Sequence, residues 1–421
     1  MADLLEIAEQ MWAGEGSSEV GGHHPVGHDL GLAEVAPRTA FNATFGNISA
    51  FATDEGLLLV DTGNQIVAAS NHARIREWNR DRLGTVVYTH GHIDHVFGMA
   101  PFDEEAVTNG WAPPKVVAHE LVSARFERYV ITAGYNGIIN QRQFQLPQFQ
   151  WPTQYRQPDE VYRDHHTLEV GGERWELHHD KGETDDATWV FNPGRKVLCT
   201  GDLFIWASPN CGNPQKVQRY PREWAVALRK MAALGAEILL PGHGLPILGN
   251  DRINQALSDT AELLESLVDQ TLVLMNEGAR LDDIVQAVQP PPHLLDKPYL
   301  RPVYDEPEFV VRNLWRLYGG WYDGNPARLK PPADLAIATE MAALAGGASR
   351  LAERASELAA AGDLRLAGHL AELAAQAAPE DVGVHRVRAD VFGLRAAEER
   401  STMSKGVFSW IERESRAKAE G

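Results

Sequence analysis

Cysteine is almost missing from this chain: only Cys199 and Cys211 occur in 421 residues. That excludes a disulfide framework, which needs several spaced pairs. Cys199 sits in the apolar run Val197–Thr200 and reads as a small core filler, whereas Cys211 falls in a predicted loop. Basic charge is also scarce. Lys and Arg number 39 against 58 Asp and Glu, a formal net charge of −19, and no basic block is present. Such a balance excludes nucleic-acid processing, because phosphate backbones demand basic stripes. Long apolar runs are missing too. None approaches the roughly 18 residues that a membrane helix needs, so no membrane association is expected. The opening Met1-Ala2-Asp3-Leu4-Leu5-Glu6 has no basic region followed by an apolar core. No secretory signal is therefore predicted, and a cytoplasmic location is expected.

Histidine, by contrast, is concentrated. Thr89-His90-Gly91-His92-Ile93-Asp94-His95 places three imidazoles and a carboxylate within six residues. The apolar run Gly84–Tyr88 just before it predicts a short buried strand. A strand followed by a turn throws these side chains into one small volume. Imidazole nitrogen and carboxylate oxygen suit Zn²⁺ and similar first-row cations. His90 and His92 point the same way and can hold one ion, while Asp94 and His95 can turn toward a second.

The pattern His90-x-His92-x-Asp94-His95 resembles the signature of the metallo-β-lactamase superfamily. The resemblance implies three further ligands, each at the end of a later strand or in a turn. Asp202 follows Val197–Gly201 and is the expected bridging carboxylate, since its two oxygens can span two cations. His243, in Pro241-Gly242-His243-Gly244 after the run Glu237–Leu240, is the expected last ligand. In the third segment most members carry Gly-His-Thr, but this chain reads Lys181-Gly182-Glu183-Thr184. Glu183 stands where the imidazole is expected, with His178 and His179 before the turn as alternatives. The implied set is His90, His92 and Glu183 at one metal, Asp94, His95 and His243 at the other, with Asp202 between. Asp61, ending the predicted strand Gly56–Gly63, is expected to orient a ligand or turn from behind; an N-cap role is the plainer alternative.

Glutamate at the third position resembles the alkyl-sulfatase-like branch. So does Gly320-Trp321-Tyr322-Asp323-Gly324-Asn325-Pro326, together with a helical tail like that branch's dimerisation domain. The branch's sulfate-binding Arg, however, has no secure equivalent. Asn213 falls near its place, and Lys216 or Arg219 are the substitutes. The bridging residue is Asp rather than the branch's usual Glu. The resemblance further implies that Tyr129, Asn136 and Arg142 face substrate; a salt-bridged helix face is the plainer reading of that segment. The sterol-carrier-like third domain of those sulfatases is not expected. His23, His24, His28, His165 and His166 lie in loops without a strand leading in and read as surface histidines.

The expected fold is α/β: a four-layer αββα sandwich over residues 1–330, then an all-α domain over 331–421. Prolines punctuate the junction, and the tail turns Ala-, Glu-, Leu- and Arg-rich. There, two amphipathic helices flank Gly362-Asp363 like a tetratricopeptide hairpin. One hairpin cannot bury its apolar face alone. Docking on the catalytic domain and a homodimer interface are the two alternatives, and the resemblance favours the dimer. The expected activity is hydrolysis of a small-molecule ester, foremost an alkyl sulfate, with two divalent ions, Zn²⁺ by expectation, generating a hydroxide that Asp94 or Asp202 orients. Lactone, β-lactam, thioester or phosphodiester hydrolysis is the alternative, as is a metal-stabilised scaffold.

Overall fold

The computed structural model describes residues 4–14, 27 and 29–420; His23, His24 and His28 lie outside the described residues. Within them the chain forms two sheets. The first is built from β1 (Gly31–Ala36), β2 (Thr39–Ala43), β3 (Ile48–Thr53), β4 (Gly56–Val60), β5 (Leu83–Val87), β6 (Lys115–His119) and β7 (Glu160–Tyr162), lying side by side in chain order. The strands β1 to β4 form an antiparallel meander, and β4 to β7 run parallel. The second sheet holds β8 (His165–Val170), β9 (Glu173–His179), β10 (Thr188–Asn192), β11 (Val197–Ile205), β12 (Ile238–His243) and β13 (Ile247–Leu248).

Period-two alternation divides each strand between two cores. In β4, Leu58 and Val60 join Phe41, Phe51, Trp175, Leu177 and Trp189 in a core between the sheets. The rings of Phe51 and Trp175 meet across that core at 4.6 Å. Leu57 and Leu59 face the other way, against Ile75, Phe102 and Phe126 of three helices. On the far side of the second sheet lie helices Pro221–Ala232 and Asn250–Asn276, which contribute Trp224, Leu228, Ile253 and Leu257. The result is the expected helix–sheet–sheet–helix sandwich followed by a helical region.

Two compact units emerge. One comprises Met1–Ala133, Pro152–Ala279 and Asp283–Gly320, and the other Gly134–Trp151, Arg280–Asp282 and Trp321–Gly421. The second is helical. The predicted hairpin is present as Ala348–Ala360 and Leu364–Ala377, with Asp363 capping the latter through the Leu366 amide. Its apolar face finds a partner that the sequence reading did not weigh. Val384 and Val391 of helix Val382–Glu398 pack on it, and buried alanines (Ala352, Ala355, Ala367, Ala371 and Ala374) line the contact. Among the described residues, no helix is long and apolar enough to cross a membrane.

Two local expectations need correction. Strand β11 does not stop at Thr200 but runs through Asp202 to Ile205, because β12 continues alongside it. His165 and His166 lie on a strand, β8, rather than in a loop. His166 pairs with Glu160 at 2.8 Å.

Candidate metal centre

The first donors stand where β5 ends. The chain turns at Thr89–His92 and enters the short helix Ile93–Val96, which carries Asp94 and His95. Arg125, wholly enclosed, pairs with Asp185 and, at 2.8 Å, with Asp186. Asp186 in turn accepts the Gly91 amide at 3.0 Å, which ties the histidine turn to the third segment.

Asp61 sits behind this turn in a left-handed backbone conformation, φ 61°. That conformation is strained for a residue with a side chain and persists only where its surroundings enforce it. Its carboxylate accepts the Thr89 amide, the Thr89 hydroxyl and His95 Nδ1, each at 2.7 Å. Asp61 caps no helix, since the next one begins at Ala68, and its carboxylate is engaged by Thr89 and His95. It also fixes the tautomers. A carboxylate only accepts, so the Thr89 hydroxyl spends its proton on Asp61. His90 Nδ1, 3.0 Å from that hydroxyl oxygen, must then donate to it. With each ring neutral, Nε2 of His90 and His95 carries the lone pair aimed forward, the state a metal ligand requires.

Asp202, His243 and Glu183 converge on these nitrogens. Asp202 Oδ1 lies 3.3 Å from His95 Nε2. Its Oδ2 lies 3.7 Å from His90 Nε2 and 3.4 Å from His243 Nε2. Glu183 Oε2 lies 3.4 Å from His92 Nδ1. Asp94 Oδ2 lies 3.4 Å from His243 Nε2. Two groups result, His90, His92, Glu183 and Asp202 in one and Asp94, His95 and His243 in the other, with donor atoms within 4.8 Å of one another in each.

The donor chemistry fits divalent cations. His95 Nε2, Glu183 Oε2 and Asp202 Oδ1 are buried and have no hydrogen-bond partner. Acceptors facing one another in a dry site need a cation between them. The charges say the same. Burial, followed by His95 and His92, pushes His90 down to about 3. Burial also opposes charge on His243, but Asp202 and Asp94 overcome it and raise that imidazole to about 10.

Gly242 shows how tightly the donors are packed around Asp202. A Cβ there would stand 2.1 Å from Asp202 Oδ1. Gly242→Ala is therefore expected to displace Asp202 and lower the metal content per chain below that of the wild type, read by elemental analysis of the purified protein. Full wild-type content would refute that packing argument.

The expected substrate residues are placed less uniformly. Tyr129 is buried, with its ring 6.2 Å from that of His92. Lys216 is half-buried, and its ammonium is pushed down to about 8 by burial and Arg219, against the pull of Asp94 and Glu183. Arg219 puts Nη1 on Glu183. Asn136 and Arg142 belong to the second compact unit. His178 and His179 stay on β9, stacked on Trp189 and His119 respectively, outside both donor groups. Sequence reading missed Thr89, Asn210, Asn313 and Tyr304. Tyr304 packs against Ile205 and Ala207 at the end of β11. No local spacing signals any of the four.

Known proteins resemble both parts of the chain. Residues 42–243 match the model described as metallo-beta-lactamase superfamily, and residues 280–418 match alkyl sulfatase dimerisation. The chain thus joins a segment similar to the metallo-β-lactamase superfamily to one similar to the alkyl sulfatase dimerisation domain. A linear primary-alkylsulfatase of Pseudomonas sp. is 26% identical to this chain over 360 residues, 80% of this chain and 68% of its own length. An (R)-specific secondary-alkylsulfatase of Pseudomonas sp. is 25% identical over 390 residues, 86% of this chain and 58% of its own. The solved stereoselective inverting sec-alkylsulfatase Pisa1 from Pseudomonas sp. shares the fold. Its TM-score is 0.82 at 23% identity, covering 91% of this chain and 65% of that one. The present chain thus spans 58% to 68% of the length of these relatives.

Proposed function

We propose that this protein is a dinuclear metal-dependent hydrolase of a small sulfate ester, with an alkyl sulfate as the foremost substrate. The observation that carries the reading is the meeting of two donor groups at one buried carboxylate, Asp202, whose oxygens face members of both. His90, His92 and Glu183 would hold one ion and Asp94, His95 and His243 the other, with Asp202 between them. Divalent cations supply Lewis acidity there, lowering the pKa of water and offsetting charge on ester oxygens. The four imidazoles suit Zn²⁺, and the three carboxylates leave room for harder cations.

The protein's own groups do the rest. Asp61 and Thr89 hold His95 and His90 in the ligating tautomer. Asp94 and Asp202 are acceptors able to orient an attacking water. Lys216, on the segment between β11 and helix Pro221–Ala232, is the cation assigned to an anionic ester. Tyr129, whose ring stands near that of His92, is assigned to the substrate pocket. The named relatives support the sulfate ester as substrate, and the dimerisation-domain match supports a homodimer.

The test combines metal analysis with an ester panel: a medium-chain alkyl sulfate, an aryl sulfate, a lactone, a β-lactam and a phosphodiester. Two ions per chain and turnover of the alkyl sulfate, lost in His92→Ala, is the expected result. Turnover of another ester alone would keep the centre and discard the substrate. Carefully prepared protein that binds no metal would leave the scaffold alternative.

A further inference from the structure

Glu183 occupies the position where most of the superfamily places an imidazole, and the protein treats its two carboxylate oxygens differently. Oε1 accepts from Asn210 Nδ2 and from Arg219 Nη1, the latter at 2.7 Å. The same Nη1 reaches the Glu183 carbonyl, also at 2.7 Å. Oε2 accepts nothing and faces His92 and His90. All three side chains are buried.

The holders are themselves held. Asn313 donates Nδ2 to the Arg219 carbonyl at 3.1 Å, and its Oδ1 accepts the Arg219 amide at 3.3 Å. The loop bearing Asn210 is pinned next door, where Asp305 accepts the Gly212 amide at 2.6 Å and Arg301 accepts the Ser208 amide at 2.9 Å. A Cβ on Gly212 would lie 2.1 Å from the Phe309 carbonyl carbon, so that loop has one seat only.

An imidazole offers a metal one nitrogen and no charge. An unrestrained carboxylate offers two oxygens and a full negative charge, and can swing into bidentate binding. We propose that Asn210 and Arg219 form a clamp that occupies Oε1, leaves Oε2 as the single donor, and offsets the charge that glutamate adds to the His90–His92 position. Arg219 is then a positioning residue and not a substrate anchor, which corrects the substrate-binding role expected for it from the sequence. The inference rests on the reading of Glu183 as a metal ligand given under Proposed function.

The experiment is a Zn²⁺ titration of metal-free full-length protein against a chromophoric chelator, with circular dichroism to establish folding. Arg219→Met is expected to weaken one of the two ions by about 10–100-fold, the usual effect of losing a group behind a ligand, and to leave the other unchanged. The double variant Glu183→His/Arg219→Met is expected to recover the weakened ion, since an imidazole needs no clamp. Asn210→Ala carries the same test if Arg219→Met does not fold, with a smaller selective loss. Two ions bound by these variants as tightly as by the wild type, or both weakened equally, would overturn the clamp. Wild-type protein that binds no Zn²⁺ would instead remove the metal reading beneath it, so the two failures are distinguishable.

Discussion

Asp202→Asn is expected to abolish hydrolysis almost completely while leaving the fold intact. The amide has the shape of the carboxylate, and β11 is held by β10 and β12 on either side. What changes is chemistry. Oδ1 faces His95 and Oδ2 faces both His90 and His243, so each oxygen serves a different part of the centre. The amide keeps one acceptor and turns an NH₂ toward the other side, where it cannot bind a cation. The shared negative charge disappears as well. Losing about 4 kcal/mol of charge stabilisation corresponds to roughly a thousandfold in rate. Elemental analysis and kcat/KM on the substrate found in the ester panel measure both effects. An asparagine variant with wild-type metal content and wild-type turnover would refute the bridging role.

Arg125→Met is expected to be the most destabilising single change near the site. The guanidinium is enclosed, and so is Asp186, its 2.8 Å partner. Burial raises the cost of the Asp186 charge, and Arg125, followed by His90, more than offsets it, holding that carboxyl well below its usual range. Removing one member of a buried pair leaves the other charge without compensation, which costs about 3–5 kcal/mol. The cost reaches the histidine turn, because Asp186 also accepts the Gly91 amide. Arg125→Met/Asp186→Asn should recover much of the loss, since no orphan charge then remains. Urea unfolding of the wild type and the single and double variants measures this. A double variant no more stable than Arg125→Met would show that packing, not the buried charge, carries the effect.

The candidate centre was readable to the extent that it is local. His90, His92, Asp94 and His95 lie within one turn after an apolar strand, so spacing alone brings them together. Asp202 and His243 follow apolar runs in the sequence, and the structure gathers them with the histidine turn in the two donor groups. The clamp on Glu183 was not readable. Its partners are 27 and 36 residues away, and Arg219 is itself held by an asparagine 94 residues on. Asn210, Arg219 and Asn313 are ordinary residues in ordinary contexts, and only their burial against one carboxylate gives them a task.

The tail follows the same division. Its amphipathic hairpin and the Gly362-Asp363 turn are local consequences of alternation and capping. What the hairpin packs on is not, because apolar periodicity names the face to be buried but never its partner. By itself, then, the sequence determined the donor types, their strand-end positions, the α/β class and the helical tail, since these follow from short-range spacing and residue chemistry. Tertiary structure alone decided which oxygen of Glu183 remains open, which tautomers His90 and His95 adopt and what covers the hairpin. Each of those depends on a buried group whose partner is distant in the chain, and only folding removes the water that would otherwise satisfy it.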